Sequence, residues 1–304
     1  MTHPLLKKST LDPADLNSYR PISNLSFVSK TVERIIDSRL TSHAHEHSLF
    51  PTYQSAYRSF HSTETALVCI HNDLIGAMDA GHVGALVLLD LSAAFDTVDH
   101  VIMMEVLEKR FGLEGKAYDW FGSYFSDRKQ VICAGTERSA EQFLTSSVPQ
   151  GSVLGPKSFM AYAEDVAEIF ELHEVQHHLY ADDMQSHAHS KPSEFTSVIT
   201  KLQNCAVAVS DWCRSKRLQL NAKKTECMYF GSAINLQKIP DHMKRFSVGN
   251  ETVEPVSVVR NLGVLFDEHL NMKRIFRTFR VPASFICDDF DPFVISLVGK
   301  SLNS

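Results

Sequence analysis

The sequence predicts an α+β fold in which a mainly antiparallel sheet carries helices on one face. The near-continuous apolar run Val83–Leu91 is short and bounded by glycine, which predicts a strand buried on both faces. Apolar residues recur at helical spacing from Phe195 to Trp212, so this segment is predicted to be an amphipathic helix with its stripe in the core. Strands and helices do not alternate strictly along the chain, and this favours antiparallel pairing over a parallel α/β sheet.

Four other segments have helical periodicity. The segment Leu25–Leu40 places several apolar residues on one stripe, namely Val28, Val32, Ile35, Ile36 and Leu40. The segment His61–Ala80 follows with Ser62 as its predicted N-cap and Gly81 as its predicted end. Shorter helices are predicted at about Val101–Phe111 and Tyr118–Phe125.

Strands dominate the last part of the predicted fold. Thr225–Phe230 and Val258–Phe266 are predicted as strands from their apolar and β-branched residues. Phe246–Val253 is predicted to be a small hairpin that turns at Gly249-Asn250.

Composition limits the function classes. The net charge of -6 does not by itself indicate a nucleic-acid partner. Between Glu164 and Asp183 there are seven acidic residues and no lysine or arginine, whereas Lys201–Phe230 has six basic residues against two acidic ones. Carboxylates between basic flanks suit a cation-binding centre that serves a polyanion, and the alternative is a set of solvated helix faces.

The six cysteines form no C-x-x-C pair, so free thiols and no disulfide partner are expected. The histidines lack a zinc-ligand spacing with cysteine, although a zinc module built on them stays open as an alternative. No apolar run reaches membrane-spanning length, so no membrane partner is expected.

Three carboxylates are the best candidates for chemistry. Asp90 lies at the end of the predicted buried strand, and Asp182 and Asp183 are adjacent in a predicted tight turn. Adjacent carboxylates repel each other unless a cation neutralises them, and an oxygen-rich site suits Mg²⁺ or Mn²⁺ better than zinc. The competing interpretation of the pair is an ordinary turn or helix cap.

Seven segments together resemble one protein family in its order and spacing. They are Tyr19–Ser23, His61–Leu67, Leu89–Val98, Val148–Pro156, Tyr180–Asp183, Arg217–Glu226 and Asn261–Val264. This set, covering roughly residues 5 to 272, closely resembles the reverse transcriptase domain of non-LTR retrotransposons of the LINE type. The sequence H-S-T-E-T-A-L at His61–Leu67 favours LINE elements over retroviral enzymes.

The resemblance implies a palm-and-fingers polymerase core, with an antiparallel palm sheet covered by helices and a thumb that is missing or truncated. The implied domains are a fingers segment at 1–82, the palm at 83–230, the end of the palm with a primer-grip-like hairpin at 231–272, and a divergent tail at 273–304. The implied activity is RNA-directed DNA polymerisation on an RNA template with a DNA primer and dNTPs. The usual location of members of this family further implies that the protein is intracellular, in the nucleus and the cytoplasm.

The resemblance also implies catalytic roles. Asp90, Asp182 and Asp183 would hold two Mg²⁺ or Mn²⁺ ions. Lys224 aligns best with the lysine that protonates the leaving pyrophosphate, and Lys223 beside it is the alternative.

Nucleotide-binding roles are implied for four residues: Arg20, Phe95, Gln150 and Gly151. Arg20 would clamp the triphosphate, with Lys7, Lys8 and Arg58 as weaker candidates for the same contact. Phe95 would select deoxynucleotides or would simply be a core phenylalanine. Gln150 and Gly151 would shape the nucleotide pocket or form an ordinary turn, whereas Asp96 is expected outside the triad as a helix-start acid.

Two departures from the family pattern motivate alternatives. Lys157 stands at a position that is normally apolar, where an unpaired buried ammonium would disturb packing beside the nucleotide pocket. The resemblance stops after Met272. A truncated, catalytically inactive remnant with at most nucleic-acid binding is therefore one alternative, and another palm polymerase such as a group II intron maturase is a second.

Overall fold

The computed structural model describes residues 1–240, 243, 245–248 and 251–271. Its helices are α1 (Phe27–Glu46), α2 (Thr63–Asp79), α3 (His100–Lys109), α4 (Gly115–Phe125), α5 (Gly155–Tyr162), α6 (Val166–Leu172), α7 (Phe195–Ser215) and α8 (Ala233–Leu236). Its strands are β1 (Thr2–Leu6), β2 (Tyr19–Ser23), β3 (Val83–Leu89), β4 (Lys129–Gln130), β5 (Cys133–Ala134), β6 (Glu137–Arg138), β7 (Gln142–Phe143), β8 (Gln176–Tyr180), β9 (Asp183–Ser190), β10 (Glu226–Gly231), β11 (Phe246–Val248), β12 (Glu251–Val253), β13 (Val258–Asn261) and β14 (Val264–Asp267).

A four-stranded sheet in the order β10-β3-β9-β8 lies at the centre of the fold. Every neighbouring pair in it is antiparallel. The predicted buried strand is confirmed as β3, which ends at Leu89, one residue before Asp90. The five other two-stranded sheets are small hairpins or ribbons around it.

Helices cover both faces of this sheet, so the expectation of helices on one face is wrong. Alternate β3 residues point to opposite sides, because side chains in a strand alternate. Val83, Ala85, Val87 and Leu89 join the large core that includes α7. Leu86 joins a second core with α2, β10 and the β13–β14 hairpin. This two-sided burial is why β3 is apolar almost throughout.

Helix α2 begins and ends as predicted. The Ser62 hydroxyl accepts a hydrogen bond from the backbone N–H of Thr65, whose side chain accepts one from the Ser62 N–H in return. Gly81 follows the helix with φ +74°, a conformation that glycine adopts at little cost. These caps fix the chain just before it enters β3.

Helix α1 buries only part of the predicted apolar stripe, because Leu40 lies in the large core and Ile36 packs against it. Val28, Val32 and Ile35 are exposed, whereas Glu33 is only 1% exposed. The Glu33 carboxylate accepts hydrogen bonds from the backbone N–H groups of Val153 and Leu154, 2.7 and 3.3 Å away. The helix is therefore oriented both by the C-terminal part of its apolar stripe and by a buried carboxylate that caps the start of α5.

The segment Val258–Phe266 forms two strands, β13 and β14, that pair through a turn at Leu262 and Gly263. The predicted hairpin is present as β11 and β12, and its turn residues Gly249 and Asn250 lie outside the described residues. Residues 273–304 also lie outside them. The predicted domain boundaries stay a prediction.

Within the described part of the chain, no helix is both long enough and apolar enough to cross a bilayer. The five cysteines in that part are free thiols, and four of them are buried.

Candidate active site

The three candidate carboxylates meet at one end of the central sheet. Leu89 of β3 pairs with Met184 of β9, so the next residues along each strand, Asp90 and Asp183, lie beside each other. Tyr180 pairs with Asp183, which makes Ala181-Asp182 a two-residue turn between β8 and β9. Sheet register therefore brings Asp90 to residues that lie 92 and 93 positions later in the sequence.

Burial and mutual repulsion disfavour the charged form of these carboxylates. Burial, and then the charge of Asp90, raise the pKa of Asp182. Burial, and then the charges of Asp182 and Asp90, raise the pKa of Asp183 to about 6. Because Asp183 is exposed, water weakens the effect of burial on its pKa. Repulsion between the carboxylates is therefore the better supported reason that this pKa is raised.

Lys224 is the lysine that reaches this group. Its Nζ lies 3.2 Å from Oδ2 of Asp90, and its charge lowers the pKa of Asp182 and Asp183 against the effects that raise them. Asn221, which the sequence did not single out, holds this segment in place. Its backbone N–H donates to the Asp90 carbonyl at 2.8 Å, and its own carbonyl accepts from the Lys224 N–H at 3.1 Å.

The donor chemistry of the site suits hard divalent cations. The three side chains offer only carboxylate oxygens, and a cation would relieve the repulsion that raises the pKa of Asp182 and Asp183. In the described residues, no three His, Cys, Asp or Glu side chains are already gathered closely enough to hold an ion. The carboxylates would therefore have to draw closer together around a cation.

Arg20 lies on β2, opposite Leu5 of β1, and its side chain is exposed. Its positive charge lowers the pKa of Asp182 against the larger effect of burial. The positive charge of Lys7 lowers the pKa of a different acid, Asp96, against the larger effect of burial.

Gln150 and Gly151 pack between β2 and the turn that follows β3. The Gln150 Nε2 donates to Oδ1 of Asp96 at 3.0 Å, and the Gln150 carbonyl accepts from the Ser23 N–H at 2.8 Å. Gly151 has φ +98°, and a Cβ there would lie 3.2 Å from the Ser23 carbonyl oxygen. The close approach that requires glycine is thus to the backbone of β2.

Asp96 does not begin a helix, contrary to expectation. It ends a short 3-10 turn, and Asp99 is the N-cap of α3, with its carboxylate accepting from the N–H groups of Val101 and Ile102. Asp96 instead receives the Gln150 side chain, and burial raises its pKa.

Phe95 is half-buried and stacks on the buried ring of Phe159, with centroids 4.9 Å apart. Its carbonyl accepts from the Val148 N–H at 2.9 Å, which ties it to the Gln150 turn. The ring is therefore anchored by the core on one side and accessible on the other, an arrangement compatible with both interpretations of Phe95.

Most of the acidic run before Asp183 serves structure rather than this site. Glu164 and Glu168 both pair with Arg110. Asp165 pairs with Lys216 at 2.8 Å. The run Glu164–Asp183 is thus not a single carboxylate cluster, because helix packing directs Glu164, Asp165 and Glu168 to cationic partners elsewhere.

Lys157 and Arg58 are both engaged with backbone carbonyls. Lys157 is 8% exposed, and its Nζ donates to the Tyr57 carbonyl at 2.7 Å, so the expectation of an unpaired ammonium is wrong. Arg58 donates through Nη1 to the carbonyls of Pro51 and Gln54 at 3.0 Å each. This engagement favours a structural part for Arg58 over a triphosphate contact.

Comparison with solved structures identifies the fold. The chain is similar to two Candida tropicalis structures, apo telomerase truncated from its C-terminal domain and apo telomerase. Their TM-scores are 0.54 and 0.57, both at 12% identity, covering 84% and 88% of this chain and 52% and 48% of those chains. This likeness shows the fold alone, which is the palm-and-fingers fold of polymerases.

Sequence comparison then gives the family. The family model "Reverse transcriptase (RNA-dependent DNA polymerase)" matches residues 5–266, and the chain belongs to that family. Similar relatives include the probable RNA-directed DNA polymerase from transposon BS of Drosophila melanogaster and the RNA-directed DNA polymerase from mobile element jockey of Drosophila funebris. Each is 27% identical, over 83% and 89% of this chain respectively. The resemblance to LINE-type elements is confirmed.

The chain spans 28% and 29% of the length of these two curated relatives. Polymerases of this family generally use divalent metal ions, which agrees with the oxygen-only donor set of the carboxylates.

Proposed function

We propose that this chain is the catalytic core of an RNA-directed DNA polymerase, which transfers deoxynucleotides from dNTPs to a primer 3′-OH on an RNA template. The observation that carries the proposal is the convergence of Asp90, Asp182 and Asp183, with Lys224 beside them, at one end of the central sheet. Phosphoryl transfer of this kind needs positioning and charge stabilisation more than covalent chemistry from the protein.

The three carboxylates would hold two Mg²⁺ or Mn²⁺ ions. Such ions, when bound, stabilise the attacking and leaving oxygens of an in-line displacement. Asp90 is fixed by β3, whereas Asp182 and Asp183 are fixed by the β8–β9 turn. The ligands thus come from two elements whose spacing is set by backbone pairing.

Lys224 and Arg20 would serve the triphosphate. The Asn221 hydrogen bonds hold the Lys224 segment against Asp90, and the nearness of the ammonium to the carboxylates supports a role in protonating the leaving pyrophosphate. The exposed guanidinium of Arg20 suits bidentate contact with phosphate oxygens.

Phe95, Gln150 and Gly151 would form the wall of the nucleotide pocket. The stack of Phe95 on Phe159 gives the ring a fixed position, as exclusion of a ribose 2′-OH requires. The hydrogen bonds of Gln150 to Asp96 and Ser23 hold the neighbouring turn.

Primer extension on an RNA template with Mg²⁺ and dNTPs tests the proposal. Wild-type protein should extend the primer, and Asp182→Asn should abolish extension because it removes one charge from the carboxylate group. Asp119→Asn, at an exposed position on α4, should extend like the wild type. Equal extension by wild type and Asp182→Asn would refute the assignment of the site.

Absence of extension from every variant would instead favour the inactive remnant. A Mn²⁺ titration followed by electron paramagnetic resonance separates the two cases, since a competent carboxylate site binds Mn²⁺ and loses affinity in Asp182→Asn. The domain boundaries at 82, 230 and 272 and the location in nucleus and cytoplasm are likewise proposals drawn from the family resemblance.

A further inference from the structure

The turn that carries Asp182 contains a strained residue. Ala181 has φ +56°, in the left-handed region that a residue with a Cβ adopts at a cost of about 1 kcal/mol. Such conformations persist where surrounding contacts determine them, and they cluster at functional sites. The contacts around Ala181 therefore decide where Asp182 and Asp183 lie.

The buried side chain of Gln54 makes the contact to this residue. Its Oε1 accepts a hydrogen bond from the Ala181 N–H at 3.1 Å and a second from the Ala56 N–H at 2.9 Å. Because both partners are backbone donors, the atom that faces them must be the amide oxygen. Gln54 is 5% exposed and lies 127 positions before Ala181 in the sequence.

The segment around Gln54 is itself docked along the edge of β8. Leu179 donates its N–H to the Tyr53 carbonyl at 2.8 Å, and its own carbonyl accepts from the Ser55 N–H at 2.9 Å. The Ser55 hydroxyl also lies 2.8 Å from Nε2 of His178. The segment thus extends the sheet beside the strand that leads into the Ala181-Asp182 turn.

Two positively charged side chains, one half-buried and one buried, donate hydrogen bonds to backbone carbonyls of this segment. Arg58 donates to the Gln54 carbonyl, and Lys157 of α5 donates to the Tyr57 carbonyl. These hydrogen bonds fix the backbone on both sides of Gln54, and accurate placement of a site residue requires such support.

We propose that Gln54 is a positioning residue for the catalytic carboxylates, holding the strained Ala181-Asp182 turn so that Asp182 and Asp183 keep their places beside Asp90. The consequence for catalysis rests on the proposed function, whereas the hydrogen bond itself can be measured without activity.

Hydrogen exchange resolved to single amides tests the contact in Gln54→Met, which matches glutamine in length but has no acceptor oxygen. Protection of the Ala181 amide should fall about tenfold, the factor that corresponds to the loss of about 1.4 kcal/mol. The Leu179 amide should keep its protection, because it bonds to a backbone carbonyl of the same segment.

Gln185→Met is the matched control. Gln185 is a buried glutamine of β9 whose side-chain nitrogen and oxygen have no hydrogen-bond partner among the described residues, so its replacement should leave Ala181 protected. If Gln54→Met fails to fold, Gln54→Asn replaces it, since the shorter amide should not reach the Ala181 N–H.

Unchanged protection of Ala181 in the Gln54 variant would overturn the inference. Loss of protection at both Ala181 and Leu179 would also overturn it, because Gln54 would then merely dock the segment. In primer extension, the Gln54 variant should lose between about tenfold and a hundredfold in kcat with little change in KM for dNTP. A silent wild type would count against the proposed function and leave the exchange result standing.

Discussion

Acid should destabilise this fold through a histidine buried beneath α2. His187 of β9 is 2% exposed, its Nδ1 has no hydrogen-bond partner in the described part of the chain, and its Nε2 is 3.8 Å from Oδ2 of Asp73. Burial, followed by the positive charges of neighbouring histidines, lowers its pKa from 6.5 to about 4. The folded state therefore resists a proton that the unfolded chain accepts, so this contribution to stability is complete above pH 6.5 and is lost as the pH falls toward 4.

The size of the effect follows from these two pKa values. At pH 5, protonation of this single imidazole raises the equilibrium constant for unfolding by a factor of about 30. That factor lowers the free energy of unfolding by about 2 kcal/mol. At pH 7 the corresponding term is only about 0.2 kcal/mol. The free energy of unfolding falls between pH 7 and pH 5. In His187→Leu this fall should be smaller than in the wild type by about 2 kcal/mol.

Urea unfolding at the two pH values measures this difference. His45→Leu, at an exposed position on α1, should lose as much stability as the wild type. If wild type and His187→Leu lose the same stability between pH 7 and pH 5, then His187 is either solvated or already protonated in the folded state, and the reasoning fails.

Other substitutions test packing and capping, again by urea unfolding. Gly84→Ala should destabilise the protein by about 3 kcal/mol, because the new Cβ would lie 2.3 Å from Cζ of Phe230 and 2.7 Å from the Ala188 carbonyl oxygen. Gly76→Ala, in the interior of α2 where no atom of the described residues comes within 4 Å of the new Cβ, should instead stabilise it by about 0.5–1 kcal/mol. Glu33→Ala should cost about 3 kcal/mol, since it leaves two backbone N–H groups at the start of α5 without their acceptor. A neutral Glu33→Ala would show that water replaces the carboxylate there.

Local rules in the sequence were sufficient for several elements. The apolar run ending at Asp90 predicted β3, because a strand buried on both faces must be apolar on both. Ser62 and Gly81 marked the ends of α2, because caps act on the backbone within a few residues. These predictions depended only on near neighbours in the chain.

Predictions that depended on distant partners were less successful. The stripe on α1 was predicted from its apolar residues, but only Ile36 and Leu40 of the stripe pack against the core. The buried Glu33, which accepts hydrogen bonds from Val153 and Leu154, was not predicted. Asn221 and Gln54 were missed because each acts through contacts to a residue far along the chain. No spacing or composition signal in the sequence marks such contacts.

The sequence alone therefore determined which carboxylates to consider, the class of cation they suit and the family to which the chain belongs. This was possible because the sequence of a motif and the chemistry of its residues are local properties. Tertiary structure decided which acids of the run Glu164–Asp183 reach the site, that Lys224 contacts Asp90, and that Gln54 holds the Ala181-Asp182 turn. The physical reason is that strand register and helix packing set distances between residues far apart in the chain, and electrostatic and hydrogen-bond energies depend steeply on those distances.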